Sequence, residues 1–153
     1  MTTMPAIYYP PPGFHFTVKF DFSPNPFDIS FQSASGLTVE YDYETFKEGG
    51  ENRFEHKLPV RTKYSDLVLK RGFVVAGSQI YNWCLRAFRD RDFNPANVLV
   101  SLMSSEHVPL KSWNIVQAVP KKWSLSDFNA NENGVVVETL ELTYRYFEVL
   151  PPI

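Results

Sequence analysis

Glu48, Glu51 and His56 are the side chains whose types and spacing come nearest to a catalytic set, two carboxylates and an imidazole that together could relay a proton. A hydrolase built on them needs the carboxylates held in a cleft with displaced pKa values. They belong instead to a longer charged run, Glu44, Lys47, Glu48, Glu51, Arg53, Glu55 and Lys57, which flanks the pair Gly49-Gly50. Charges around a flexible turn are solvated in an isolated subunit, so the run reads as surface and not as catalytic machinery. Its alternating signs suit salt bridges that fix register between subunits.

The other reactive side chains are no better placed. His15, His56 and His107 fall in different elements without the clustered spacing of a zinc site, and no metal or cofactor is expected. His56 alternates with Phe54 and Leu58 and reads as a packed or interface histidine. Cys84 lies between Trp83 and Leu85 on the apolar face of a predicted helix and reads as a small buried hydrophobe; a nucleophile requires a base beside it and an electropositive setting. Lys70-Arg71-Gly72 has the residue types of a phosphate site but lacks the glycine-rich loop opening a helix, so it reads as structural. Lys121-Lys122-Trp123 could stack a base in principle. The formal net charge of −2 offers no basic surface for phosphates.

The elements that carry these residues are mostly strands. Phe14, Phe16, Val18, Phe20 and Phe22 alternate with polar residues, the period of a half-buried strand. Ser23-Pro24-Asn25-Pro26 breaks it. A second strand starts at Ile29 and Phe31 and bends at Ser35-Gly36. Leu37, Val39, Tyr41 and Tyr43 alternate with Thr38, Glu40, Asp42 and Glu44 as a third. Beyond Gly49-Gly50, Phe54, His56, Leu58 and Val60 form a fourth, in which Pro59 cannot donate to a ladder and so marks an edge or an exit from the sheet. Tyr64 to Phe73 is a further strand.

The period then changes. Ile80, Trp83, Cys84, Ala87 and Phe88 share one helical face, with Ser78 as N-cap, arginines Arg86, Arg89 and Arg91 towards the C-terminal end, and Phe93-Asn94-Pro95 as the stop. Strands follow at Val98–Met103, Val108–Val119 and Val135–Val149. In the last, Val136, Leu140, Leu142, Tyr144 and Tyr146 are expected on one face. Prolines 5, 10, 11 and 12 make residues 1–13 an extended arm or tail. One helix among many strands predicts a small β-barrel or sandwich whose helix covers one flank or opening.

The chain has 153 residues, ordinary for one domain, and no internal repeat or boundary divides it. Its 44% hydrophobic and 21% charged residues fit a globular fold, and its 16% aromatics suit β-structure and buried subunit contacts. The lone cysteine excludes an internal disulfide and fits a reducing compartment. The N-terminal residues have neither the basic nor the apolar region of a signal peptide, and no apolar run reaches the length of a membrane span.

Taken in order, certain motifs carry a resemblance. They are Ser35-Gly36-Leu37 with Glu40, Glu48-Gly49-Gly50, Lys57-Leu58-Pro59, Leu69-Lys70-Arg71-Gly72, the helix with Trp83, then Trp113, Pro120-Lys121-Lys122-Trp123 and Glu138-Thr139-Leu140-Glu141-Leu142. Over about Phe14 to Phe147 the chain resembles the tail-tube proteins of contractile phages and phage-like contractile injection systems, and is similar to the tube-forming protein of type VI secretion. Pro11-Pro12-Gly13-Phe14-His15-Phe16, the run GGENRFEHKLPVR and Trp83-Cys84 look closer to extracellular injection systems, and within them to the tube initiator between spike and tube. Val60-Arg61, where many bulk tube proteins have a glycine, and the long proline-rich start depart from the bulk pattern.

The resemblance implies one domain over residues 1–153, a small β-barrel of two packed sheets with a flanking helix and an extended arm at about 41–64. It implies a non-enzymatic structural protein forming homo-hexameric rings that stack into an inner tube for payload delivery. Its partners would be adjacent rings, a spike or hub protein, and sheath or baseplate proteins, with no membrane and with nucleic acid only as lumen cargo. Such a protein is made in the bacterial cytoplasm and becomes part of a tail-like particle. The inter-subunit contacts implied are Glu48, Gly49, Gly50, Glu51, Arg53, Glu55, Lys57, Arg61, Lys70 and Arg71. The alternative function is a small-ligand-binding β-barrel with aromatics lining its pocket.

Overall fold

The computed structural model describes residues 15–24, 28–47, 49–50, 55–131 and 133–151. Nine strands and one helix follow in order: β1 (Phe16–Phe20), β2 (Ser33–Ser35), β3 (Val39–Phe46), β4 (His56–Tyr64), β5 (Leu67–Gly72), α1 (Gln79–Asp90), β6 (Ala96–Met103), β7 (Pro109–Leu125), β8 (Val137–Thr143) and β9 (Tyr146–Leu150). Neighbouring strands run in the order β1-β6-β7-β8-β5-β2, with β9 also on β7, and every pairing is antiparallel.

The long strand β7 makes this path into two packed layers. Its first part, through Val116, lies between β6 and β9, whereas Val119 to Leu125 pair with β8. The switch falls where Gln117 adopts a left-handed φ of 53° and the register slips between Pro120 and Lys122. Alternation places Val18, Val98 and Ile115 of one layer against Leu67, Leu69, Leu140 and Leu142 of the other in a single core. That arrangement agrees with the expected pair of sheets and flanking helix.

The chain after residue 135 departs from expectation. It is two strands, not one, because β8 and β9 follow different halves of the bent β7 and break between them at Tyr144-Arg145. The proposed common face therefore fails: Leu140 and Leu142 point inward, but Tyr146 beyond the break is 40% exposed. The inward position between Val136 and Leu140 is taken by Glu138, only 3% exposed.

Helix α1 forms as its period requires. Ile80, Trp83, Cys84 and Ala87 are buried, and the Ser78 hydroxyl accepts a hydrogen bond from the Tyr81 N–H. Arg91 closes the helix in the left-handed conformation, its N–H donating to the Arg86 carbonyl. Phe88 sits at the rim rather than in the core, 45% exposed and stacked on Trp123.

The expected strand at Ile29 and Phe31 shrinks to β2, because Asp28 is drawn to the helix N-terminus and the Ile29 carbonyl accepts from the Val18 N–H instead. Gly36 makes the bend after β2. Its φ of 96° disfavours any side chain, and a Cβ there would collide with the Asp66 carbonyl oxygen.

Candidate assembly surfaces

Strands β3 and β4 pair with each other and with no other strand among the described residues. A two-stranded ribbon is marginal in water by itself. Its root is fixed. Tyr64 packs on Tyr144 and Phe147 with ring centroids 6.0 and 5.2 Å apart, and the Tyr144 hydroxyl donates to the Ser65 carbonyl at 2.7 Å. Lys121 Nζ reaches Asp66 at 2.5 Å beside it. Pro59 stands opposite Tyr43, where the register slips and a bulge twists the ribbon, so the missing N–H interrupts no larger sheet.

Register divides the arm into two faces of different chemistry. Tyr41 opposes Thr62, Tyr43 opposes Pro59, and Val39 opposes Tyr64, giving a tyrosine-rich face that is uncharged near the root and meets its first charge at Lys57, opposite Thr45. On the other side Glu40 opposes Lys63 and Asp42 opposes Arg61. Tyr41, Tyr43 and Val39 are each at least half exposed. Arg61 Nε lies 3.9 Å from Asp42 and Lys47 Nζ 3.7 Å from Glu55, exposed pairs that each contribute about 0–1 kcal/mol. At the far end His56 stacks on Phe46, ring centroids 5.1 Å apart.

The sequence-derived site residues separate under this geometry. Gly49, Gly50, Glu55, Lys57 and Arg61 lie on the exposed arm, and Lys70 is exposed on β5. Glu48, Glu51 and Arg53, with the acid pair of the hydrolase reading, lie outside the described residues. Arg71 is corrected: it is 4% exposed and inside the subunit, because β5 alternation turns it inward onto two acids. Its Nη1 bonds Asp28 Oδ1 and its Nε bonds Glu138 Oε2, each at 2.8 Å, while Nη2 donates to the Ser78 hydroxyl at 2.8 Å.

Asp28 and Glu138 are the polar residues that sequence reading missed. Asp28 also accepts from the Ser23 and Ser78 hydroxyls and from the Gln79 N–H, so it caps α1 from outside the helix. Glu138 accepts from Trp123 Nε1 at 2.6 Å. Burial would raise the Asp28 carboxyl, but the bonds from Ser23, Ser78, Arg71 and the Gln79 N–H outweigh it and hold it below the usual carboxylate value. Burial would likewise lower Arg71, and its bonds to Asp28 and Glu138 raise it instead. A buried charge cluster with every group bonded locks β5, β8 and the helix start together. The signal in the sequence is a carboxylate, Glu138, inside the apolar alternation of β8.

Little here can do covalent or metal chemistry. Burial pushes the Cys84 thiol up to about 12, so it is not a thiolate near neutrality. Among the described residues no group of histidine, cysteine and acidic side chains could hold a metal ion. Trp123 is engaged by Glu138, Tyr81 and Phe88. No described helix is long and apolar enough to cross a membrane.

One open cavity of about 290 Å³ lies between the two ends of the sheet path, β1 and β2. Phe16, Leu37, Leu102 and Trp113 wall it, and Gln32 and Ser33 lie at its rim.

The described residues form a two-layer β-fold with one capped flanking helix and an arm that no other described strand pairs. The family model described as T4-like virus tail tube protein gp19 matches residues 12–148, and the chain belongs to that family. A chain in the cryo-EM structure of the anti-feeding prophage (AFP) baseplate, 6-fold symmetrised, is 32% identical over 98% of both chains, with a TM-score of 0.79. The fold is shared by a chain of the sheath/tube terminator of PVC, an extracellular contractile injection system, in its extended state (23% identity, TM-score 0.82, 95% of this chain and 99% of that one). It is shared more distantly by Hcp1 from Flavobacterium johnsoniae (13% identity, TM-score 0.51, 88% and 93% covered). No curated protein sequence matches the chain. As a tail-tube family member, the chain has a structural role in a tail-like particle.

Proposed function

We propose that this chain forms hexameric rings of the inner tube of an extracellular contractile injection system, at the tube or at the initiator ring next to the spike. The observation that carries this is the arm, a ribbon of eight and nine residues with no other strand beside it among the described residues and a tyrosine-rich face in water. A ring requires a head-to-tail contact in which one surface of a copy meets a different surface of the next. An arm that projects from a fixed root supplies one half of such a contact. Identity to a baseplate chain over nearly the whole length supports a position near the baseplate end. The contacts proposed on the arm are Gly49, Gly50, Glu55, Lys57 and Arg61, with Glu48, Glu51, Arg53 and, on β5, Lys70. Spike or hub, sheath and baseplate proteins are the proposed partners, after synthesis in the bacterial cytoplasm. The small-ligand reading loses ground to family membership and to an interior filled by side chains such as Leu67, Leu69 and Ile115.

The test is assembly. The purified chain, alone and co-expressed with its spike partner, is expected to give ring-sized masses by light scattering and rings by electron microscopy. Replacing residues 41–62 by a short glycine turn should leave a folded monomer that forms neither. A chain that stays monomeric at high concentration in both preparations overturns the proposal.

A further inference from the structure

We propose that the slot between β1 and β2 receives the tyrosine face of the arm of a second copy of this chain. The inference rests on the tube-forming reading and adds which face of the arm docks and where it goes.

Three observations carry it. The first is chemistry: among the described residues no charged side chain lines the slot, whose walls include Phe16, Leu37, Leu102 and Trp113. In the root half of the ribbon, from Val39 to Tyr43, the Tyr41–Tyr43 face carries no charge and Lys57 enters it only opposite Thr45, whereas a turn of the arm by one face would bring Glu40, Asp42, Arg61 and Lys63 against those walls. Burying those charges in an apolar slot is unfavourable. Gln32 and Ser33 at the rim supply partners for a phenolic hydroxyl, which an otherwise apolar ring needs when it is buried. The second is shape: the slot is flanked by the two end strands of the sheet path, whose edges suit an extended segment more than a compact ligand.

The third observation is that the arm cannot fill the slot of its own chain. Leu37 is a slot wall and β3 begins two residues later, so the ribbon leaves from the slot's border. Extended chain rises about 3.3 Å per residue, which puts Tyr43 roughly 20 Å along the chain from Leu37. Folding back would require breaking the β3–β4 ladder. An arm seated in the slot is therefore that of another copy, arm in one and slot in the next, and such a contact is heterologous and propagates.

Cysteine pairing tests the placement without removing the tyrosines. Ser33→Cys puts a thiol at the slot rim; Thr62→Cys puts one opposite Tyr41 on the neutral face; Lys63→Cys puts one on the charged face. Mixed under mild oxidation, Ser33→Cys and Thr62→Cys chains are expected to give a disulfide heterodimer. Ser33→Cys with Lys63→Cys should give at least tenfold less, and each variant alone should give no covalent dimer. Tyr41→Ala with Tyr43→Ala should abolish the heterodimer while the melting temperature stays that of the parent. Rings that form while Lys63→Cys captures Ser33→Cys as well as Thr62→Cys does, or while Ser33→Cys pairs only with itself, overturn the inference and leave the tube reading standing. A chain that never assembles removes both.

Discussion

Replacing Arg71 by methionine keeps much of the side-chain volume and removes the cation between Asp28 and Glu138, which are 1% and 3% exposed. Each acid loses a 2.8 Å charge-assisted bond, and Ser78 loses one of its donors. Breaking a buried pair from one side costs about 3–5 kcal/mol, because a charge is left uncompensated. Two stranded carboxylates place this case at the upper end. For a chain of this length about 2–4 °C of melting temperature accompanies each kcal/mol, so a fall of roughly 10–20 °C is expected at pH 7.

The pH dependence separates lost charge from lost packing. In the parent, Asp28 has a depressed folded pKa, so its contribution is complete above the unfolded value of 3.8 and is lost as pH falls through the folded one. In Arg71→Met the Asp28 carboxyl keeps its bonds from Ser23, Ser78 and the Gln79 N–H but loses the cation, which raises its folded pKa relative to the parent. Protonation then relieves that carboxyl at a higher pH than in the parent, and the gap between variant and parent should narrow as pH falls from 7 towards about pH 4. Calorimetry over that range is the assay. A variant melting within about 2 °C of the parent at pH 7, or a gap that stays constant down to pH 4, would refute the claim that Arg71 acts as the counter-charge of a buried cluster.

Two further outcomes follow from the fold. Gly36→Ala is expected to lower stability by about 2 kcal/mol or more, read as a shifted urea midpoint, since it combines a positive φ with a collision at Asp66; an unchanged midpoint contradicts that backbone geometry. Cys84, with its thiol pushed up to about 12 and no exposure, should resist an aromatic disulfide reagent at pH 8 until denaturant is added; stoichiometric labelling of the native chain within seconds would contradict its burial.

Features set by local sequence were readable in advance. The alternation around Val18 and Phe20, the helical spacing of Ile80, Trp83, Cys84 and Ala87, and the Ser78 cap all follow from neighbours a few residues apart. The charged cluster was not readable, because Arg71 meets Asp28 across 43 residues and Glu138 across 67. Arginine beside Lys70 looks like surface until the strand is known to turn it inward. The break at Tyr144-Arg145 was hidden for a related reason. Its cause is the bend of another strand, β7, and the residues from 135 to 149 carry no proline or glycine after Gly134 to announce it. The arm's two faces were only half legible, since pairing Tyr43 with Pro59 depends on the slip in register after Asp42.

Strand β7 has a mechanical meaning. Its first part belongs to the layer of β6 and β9, and its last part to the layer of β8. One layer cannot slide over the other without bending a continuous covalent strand. Side-chain packing alone would let stacked sheets creep under a sideways load, contact by contact. Here such a load, whichever layer receives it, is carried to the other through the peptide backbone at Gln117 to Pro120.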